Sequence, residues 1–111
     1  MIKAILSKIL LGTLAASIVA AATLPALAGE VGNRVENQQD RINQGVQSGQ
    51  LTYGEYKRVD GNLDRINAQR RADLAANGGK LTAAERAQLN RELNHNSDLI
   101  YFDKHNTHHQ K

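Results

Sequence analysis

The chain has 111 residues, no cysteine, no tryptophan and a formal charge of +3. Without cysteine there are no disulfide staples, no thiolate metal sites and no thiol nucleophiles. One small domain with a marginal core is what such a length supports. The basic balance is no sign of nucleic acid, because cations and carboxylates alternate in stretches such as "RVENQQDR" and "KRVDGNLDR", whereas a phosphate-tracking face needs clustered cations.

The chain begins "MIKAILSKILLGTLAASIVAAATLPALA". Lys3 and Lys8 precede an apolar run from Ile9 to Ala22, and Pro25 is followed by the small-x-small sequence Ala26-Leu27-Ala28. This pattern predicts a signal peptide over residues 1–28, cleaved after Ala28. The apolar run is short of the roughly 20 residues that a bilayer span needs, so removal is favoured over an uncleaved anchor, and no membrane span is expected in the mature form. The product would be exported, to a periplasm or to the medium. Loss of Lys3 and Lys8 leaves 12 Lys and Arg against 11 Asp and Glu, and loss of Pro25 leaves no proline.

Two stretches then share one spelling, Gly-x-Leu-Thr-x-x-Glu: Gly49 to Glu55 and Gly79 to Glu85. Thr52 with Glu55, and Thr82 with Glu85, have the spacing of a capping box, in which the Thr hydroxyl and the Glu carboxylate each accept a free amide at a helix start. Leu51 and Tyr56 have staple spacing, while the matching partner of Leu81 is Arg86. Gly49 and the pair Gly78-Gly79 supply the positive φ that ends a helix. Each copy therefore reads as helix stop, turn, helix start.

The mature chain is thus expected to be all-α, a small bundle of three helices over residues 29–104, with a flexible His-rich tail over residues 105–111. The first helix is predicted from Glu30 to Gln47 with Val31, Val35, Ile42 and Val46 on one stripe, interrupted by Gln38 and Gln39. The second is predicted from Tyr53 to Ala76, with Tyr56, Val59, Leu63 and Ile66 at 3-4-3 spacing. The third is predicted from Ala83 to Lys104, with Leu89, Leu93 and Ile100 on one face and Asn96 between them. Short turns favour antiparallel neighbours. Two long helices with the first loosely docked, or swapped into a homodimer, is the alternative, since polar residues in an apolar stripe can set register in a helical assembly.

The second half of "GGKLTAAE" resembles the second half of an EF-hand loop, with Gly79, Leu81 and Glu85 in the register of the bend, the aliphatic residue and the closing calcium ligand. Gly49, Leu51 and Glu55 match in the same way. The early ligand positions fall on Leu74, Ala76 and Gly78, and on Gln44, Val46 and Ser48, which makes this a degenerate pair. Leu51-Thr52 and Leu81-Thr82 also resemble the repeated Leu-Thr-x-x-Gln of the Spy/CpxP group of periplasmic stress proteins, with Glu55 and Glu85 where that group has Gln. That resemblance implies ATP-independent binding of unfolded clients. Over nearly the whole mature chain, "RINQGVQSGQLT", "NGGKLTAAER" and "IYFDKHN" resemble small exported bacterial helical proteins of unassigned activity.

The chain ends "YFDKHNTHHQK". If the last helix continued, His105, His108 and His109 would share a face at i, i+3 and i+4, a set suited to a divalent transition metal. Set against this is a solvated terminus. Enzyme chemistry finds no footing. Asp60 with Asp64, and Glu36 with Asp40, are spaced as helical pairs, but acid–base work needs a cleft to shift their pKa values. The sequence therefore points to a non-enzymatic exported binding protein with no cofactor, possessing an accessory or chaperone-like role towards a protein or client chain. A divalent metal is the alternative ligand. The native protein is expected to start at Gly29, and intact-mass measurement checks this; a mass retaining residues 1–28 refutes it.

Overall fold

Among the described residues, two glycine turns separate three helices: α1 (Leu14–Gln47), α2 (Tyr53–Ala76) and α3 (Ala83–His105). The computed structural model describes the backbone of residues 14–109 and side chains from residue 29 to residue 109. Residues 1–13 of the expected leader, with Gln110 and Lys111, lie outside the described residues. Helix α1 starts at Leu14 rather than at Glu30. The Ala- and Leu-rich stretch between has strong helix propensity, with its one glycine, Gly29, at its end, and Pro25 within it donates no backbone hydrogen bond. Among the described residues no helix is long and apolar enough to cross a membrane.

The turns differ in how they close. After α2, Gly78 has φ 65° and Gly79 φ 89°, and the Gly79 amide donates to the Leu74 carbonyl at 2.7 Å. That bond and the left-handed glycine make a Schellman stop. After α1, Gly49 has φ 78°, and the Leu51 amide donates to the Gly45 carbonyl at 3.0 Å. This folds Leu51 back under the end of α1, where it is fully buried.

Hydrogen bonds give the register. Arg34 reaches Asn90 and Asn94, Gln38 reaches Leu93, Arg41 reaches Ser97, and Lys104 reaches Gln44. Both numbers rise together, so α1 and α3 run parallel. Helix α2 runs against both, as the pairs Gln39–Asp60, Asn62–Asn96 and Arg58–Asp103 require. The result is an up-down-up bundle.

The core is aliphatic. Val35, Ile42, Val59, Leu63, Ile66, Leu89, Leu93 and Ile100 are buried in one cluster, joined by Val31 and Leu51. Each side chain of this size contributes ~1.5–3 kcal/mol when fully buried. Tyr56 packs against the cluster from its edge, as do Val46, Leu81 and Leu99. The stripes are longer than their apolar members. Spacing of 4-3-4-3 runs from Leu89 through Leu93, Asn96 and Ile100 to Asp103, and all five are buried. Gln38 is likewise buried on α1.

Gly45 is where α1 accepts Leu51. A Cβ built there would stand 2.7 Å from both Cγ and Cδ1 of Leu51, whereas one built at Gly61 would meet nothing within 4 Å. Alanine normally stabilises a helix interior over glycine by ~0.5–1 kcal/mol. Gly61→Ala is expected to gain that amount. Gly45→Ala is expected to lose ~1–3 kcal/mol, the usual effect of overpacking. Urea denaturation of the two variants checks this; stabilisation by both would show that Leu51 does not need the gap.

Candidate functional site

The repeated motif builds two complete capping boxes. Thr52 Oγ1 accepts from the Glu55 amide at 3.2 Å, and Glu55 Oε1 accepts from the Thr52 amide at 2.9 Å. Thr82 and Glu85 repeat the geometry at 3.0 and 2.9 Å. Both threonines are extended, with φ −72° and −70°.

Each carboxylate also takes a donor from elsewhere. Asn77, the cap at the end of α2, donates Nδ2 to Glu85 Oε1 and Oε2 at 2.9 and 3.2 Å. In the first copy the position equivalent to Asn77 holds Gln47, and the donor comes from the far end of the chain instead. Asn106 Nδ2 donates to Glu55 Oε2 at 2.7 Å, and His108 Nδ1 lies 3.6 Å from the same oxygen. These contacts hold both carboxyls below their ordinary range. For Glu85 the Thr82 amide is the main cause, partial burial opposes it, and Asn77 and the Thr82 hydroxyl add to it. For Glu55 partial burial is the largest single influence and pushes upward. It is outweighed by the Thr52 amide, Asn106, the Thr52 hydroxyl and the His108 charge together.

The calcium-like register therefore falls on groups engaged in capping. The Leu74 carbonyl, at an early ligand position, accepts from the amides of Asn77 and Gly79. The helical extension that would align His105, His108 and His109 does not form. Helix α3 ends at His105, and Asn106 is extended at φ −84°, ψ −175°. The physical reason is competition. The Asn106 side chain donates to Glu55 and accepts from the His108 amide at 2.8 Å, a local turn that replaces the next helical bonds. His105 instead stacks on Tyr101 with ring centroids 4.0 Å apart. Among the described residues, no group of three or more His, Asp or Glu is arranged to hold a metal ion.

Gln38 and Asn96, the polar breaks in the stripes, meet in the core. Gln38 Nε2 donates to the Leu93 carbonyl at 2.8 Å. Asn96 Nδ2 donates to Gln38 Oε1 and to the Val59 carbonyl, both at 3.1 Å, and Asn96 Oδ1 accepts from Asn62 Nδ2 at 3.1 Å. Asp103, not foreseen as a core position, is buried and takes Nη2 of the half-exposed Arg58. Its 3-residue step from Ile100 was the available signal. Of the carboxylate pairs, Asp60 accepts from Gln39 at 3.0 Å between α1 and α2, while Asp64, Glu36 and Asp40 are exposed.

The aromatic residues have an unusual placement. The chain has three tyrosines and one phenylalanine, and all four stand where α2 begins and α3 ends. Tyr53, Tyr101 and Phe102 are 72%, 61% and 65% exposed. Lys57 Nζ lies 5.5 Å from the centroid of the Tyr53 ring.

The lowered carboxyls make an acid-stability test. A carboxyl held below its ordinary value, near 4.5, adds stability that is fully present above that value and lost as pH falls through the folded-state pKa. Glu55→Gln and Glu85→Gln are each expected to flatten the loss of stability below about pH 4.5. Truncation before Asn106 is expected to raise the Glu55 pKa and leave that of Glu85 in place. Carboxyl NMR titration reads both; an unmoved Glu55 would mean that the tail does not engage it. In comparisons with protein-family models, curated proteins and solved structures, the chain matches none.

Proposed function

We propose that the mature chain is an exported, non-enzymatic binding protein, with a chaperone-like or accessory role towards a protein or client chain. The observation that carries this reading is the inversion of aromatic placement. Aromatic side chains usually dominate cores, and when exposed in a group they serve as binding anchors with large area and little entropy to lose. Here the core is built from Val, Ile and Leu, while three of four aromatics face solvent around one end. The rigid helices beneath them, fixed by capping boxes, suit presentation of a surface. The resemblance of the Leu-Thr motifs to the Spy/CpxP group supports the same class of activity.

The test is suppression of aggregation of a chemically unfolded model client by the mature protein. Tyr53→Ser/Tyr101→Ser/Phe102→Ser is expected to keep its helical circular dichroism and its stability within about 0.5 kcal/mol per site, as exposed substitutions do. It is expected to lose the suppression. A triple variant as active as the parent would remove the aromatic end from the binding surface.

A further inference from the structure

The seam between α1 and α3 differs from the rest of the surface in how its cations are held. Arg34 donates to Asn90 Oδ1 at 2.8 Å and to Asn94 Oδ1 at 2.7 Å. Arg41 donates to Ser97 Oγ at 2.7 Å and to the Ser97 carbonyl at 3.1 Å. Lys104 donates to the Arg41 carbonyl and to Gln44 Oε1 at 3.4 and 3.2 Å. Every one of these acceptors is neutral. Among the described residues the ion pairs are Arg58–Asp103 and His108–Glu55, so the three cations of the seam have no carboxylate partner. Burial and, after it, the neighbouring Arg41 charge lower the Lys104 pKa, as expected where one cation stands beside another.

A groove of about 490 Å³ lies along this seam, with Arg34 and Arg41 on its wall and Glu30 as its one carboxylate. Asn33 and Asn37 line it too, both exposed. Neutral acceptors orient the guanidiniums without cancelling their charge, and each guanidinium has five N–H donors, more than its contacts here engage.

We propose that this groove binds an extended, acidic polypeptide segment. The proposal rests on the binding reading above only in taking a polypeptide as partner, and uses a different surface. Arg34 and Arg41 are seven residues apart on one helix, a rise of about 10.5 Å. Carboxylates three residues apart on a chain in the extended polyproline II conformation share one face and are separated by about 9 Å. Lys104, hydrogen-bonded towards Gln44, continues the row. The amides of Asn33 and Asn37 offer both donors and acceptors. Those match a peptide backbone between its acidic side chains, which an inorganic anion or a uniformly sulfated chain does not present.

Fluorescence anisotropy with a labelled Gly/Ser peptide bearing Asp at every third position tests this, with a peptide bearing Asn in those places as control. The acidic peptide is expected to bind at least about tenfold more tightly at low salt and to weaken as salt screens the charges. Arg34→Gln/Arg41→Gln is expected to reduce that binding about tenfold or more. Those residues also tie α1 to α3, so Asn37→Asp, at an exposed position, serves as the second variant and is expected to weaken binding with helicity unchanged. The triple aromatic variant is expected to retain acidic-peptide binding, which separates this proposal from the aromatic surface. Equal binding of the two peptides, indifference to Asn37→Asp in a folded protein, or displacement by inorganic phosphate beyond that produced by chloride at the same ionic strength would overturn it.

Discussion

The bundle depends on one hydrogen-bonded layer. Gln38 of α1 and Asn96 of α3 bond to each other and to the backbones of α3 and α2 respectively, so three helices are joined through two amide side chains. Both are nearly inaccessible. A slip of either helix by one heptad would bury these amides among aliphatic neighbours, and an unsatisfied buried polar group costs about 1–3 kcal/mol. That is a large share of what a domain this size has in reserve. Aliphatic side chains alone specify burial, not position along the axis. Val, Ile and Leu supply the driving force here, and the amide layer selects one alignment from several that would bury similar area.

A second constraint works at the ends. The two capping boxes are local and equivalent, yet their carboxylates are finished differently. Glu85 receives Asn77 from its own turn, while Glu55 receives Asn106 from beyond the last helix. The first box is thereby a point of closure for the fold. It joins the start of α2 to the end of α3, next to the Arg58–Asp103 pair. One short motif thus serves as a turn in one copy and as a turn with a long-range anchor in the other.

The contrast between local and long-range contacts also explains how much of this the sequence disclosed. Thr-x-x-Glu and the 3-4-3 spacing of Tyr56, Val59, Leu63 and Ile66 are read within one or two turns of helix, and they place α2 and α3. Gln38 and Asn96 look like flaws when each stripe is read alone, because the partner that satisfies each lies 58 residues away. Asp103 is hidden for the same reason, its Arg58 partner being 45 residues distant. The histidine face requires a longer helix α3, which Asn106 ends through a contact with Glu55. The exposed aromatics and the unpaired seam cations belong to no motif. They emerge only once the helices are placed side by side.

The inverted placement of aromatics has an optical consequence. With no tryptophan and a core of saturated side chains, the interior carries no chromophore that absorbs in the near ultraviolet. Tyr53 and Tyr101 lie largely in solvent in the folded chain. Loss of the core therefore reaches tyrosine emission through Tyr56 at the core's edge and through the Tyr101–His105 stack, while the helical signal in the far ultraviolet collapses. What those rings do register is anything that covers them. In this molecule intrinsic fluorescence reports on one end of the bundle, where all three tyrosines stand, and not on the middle of its core.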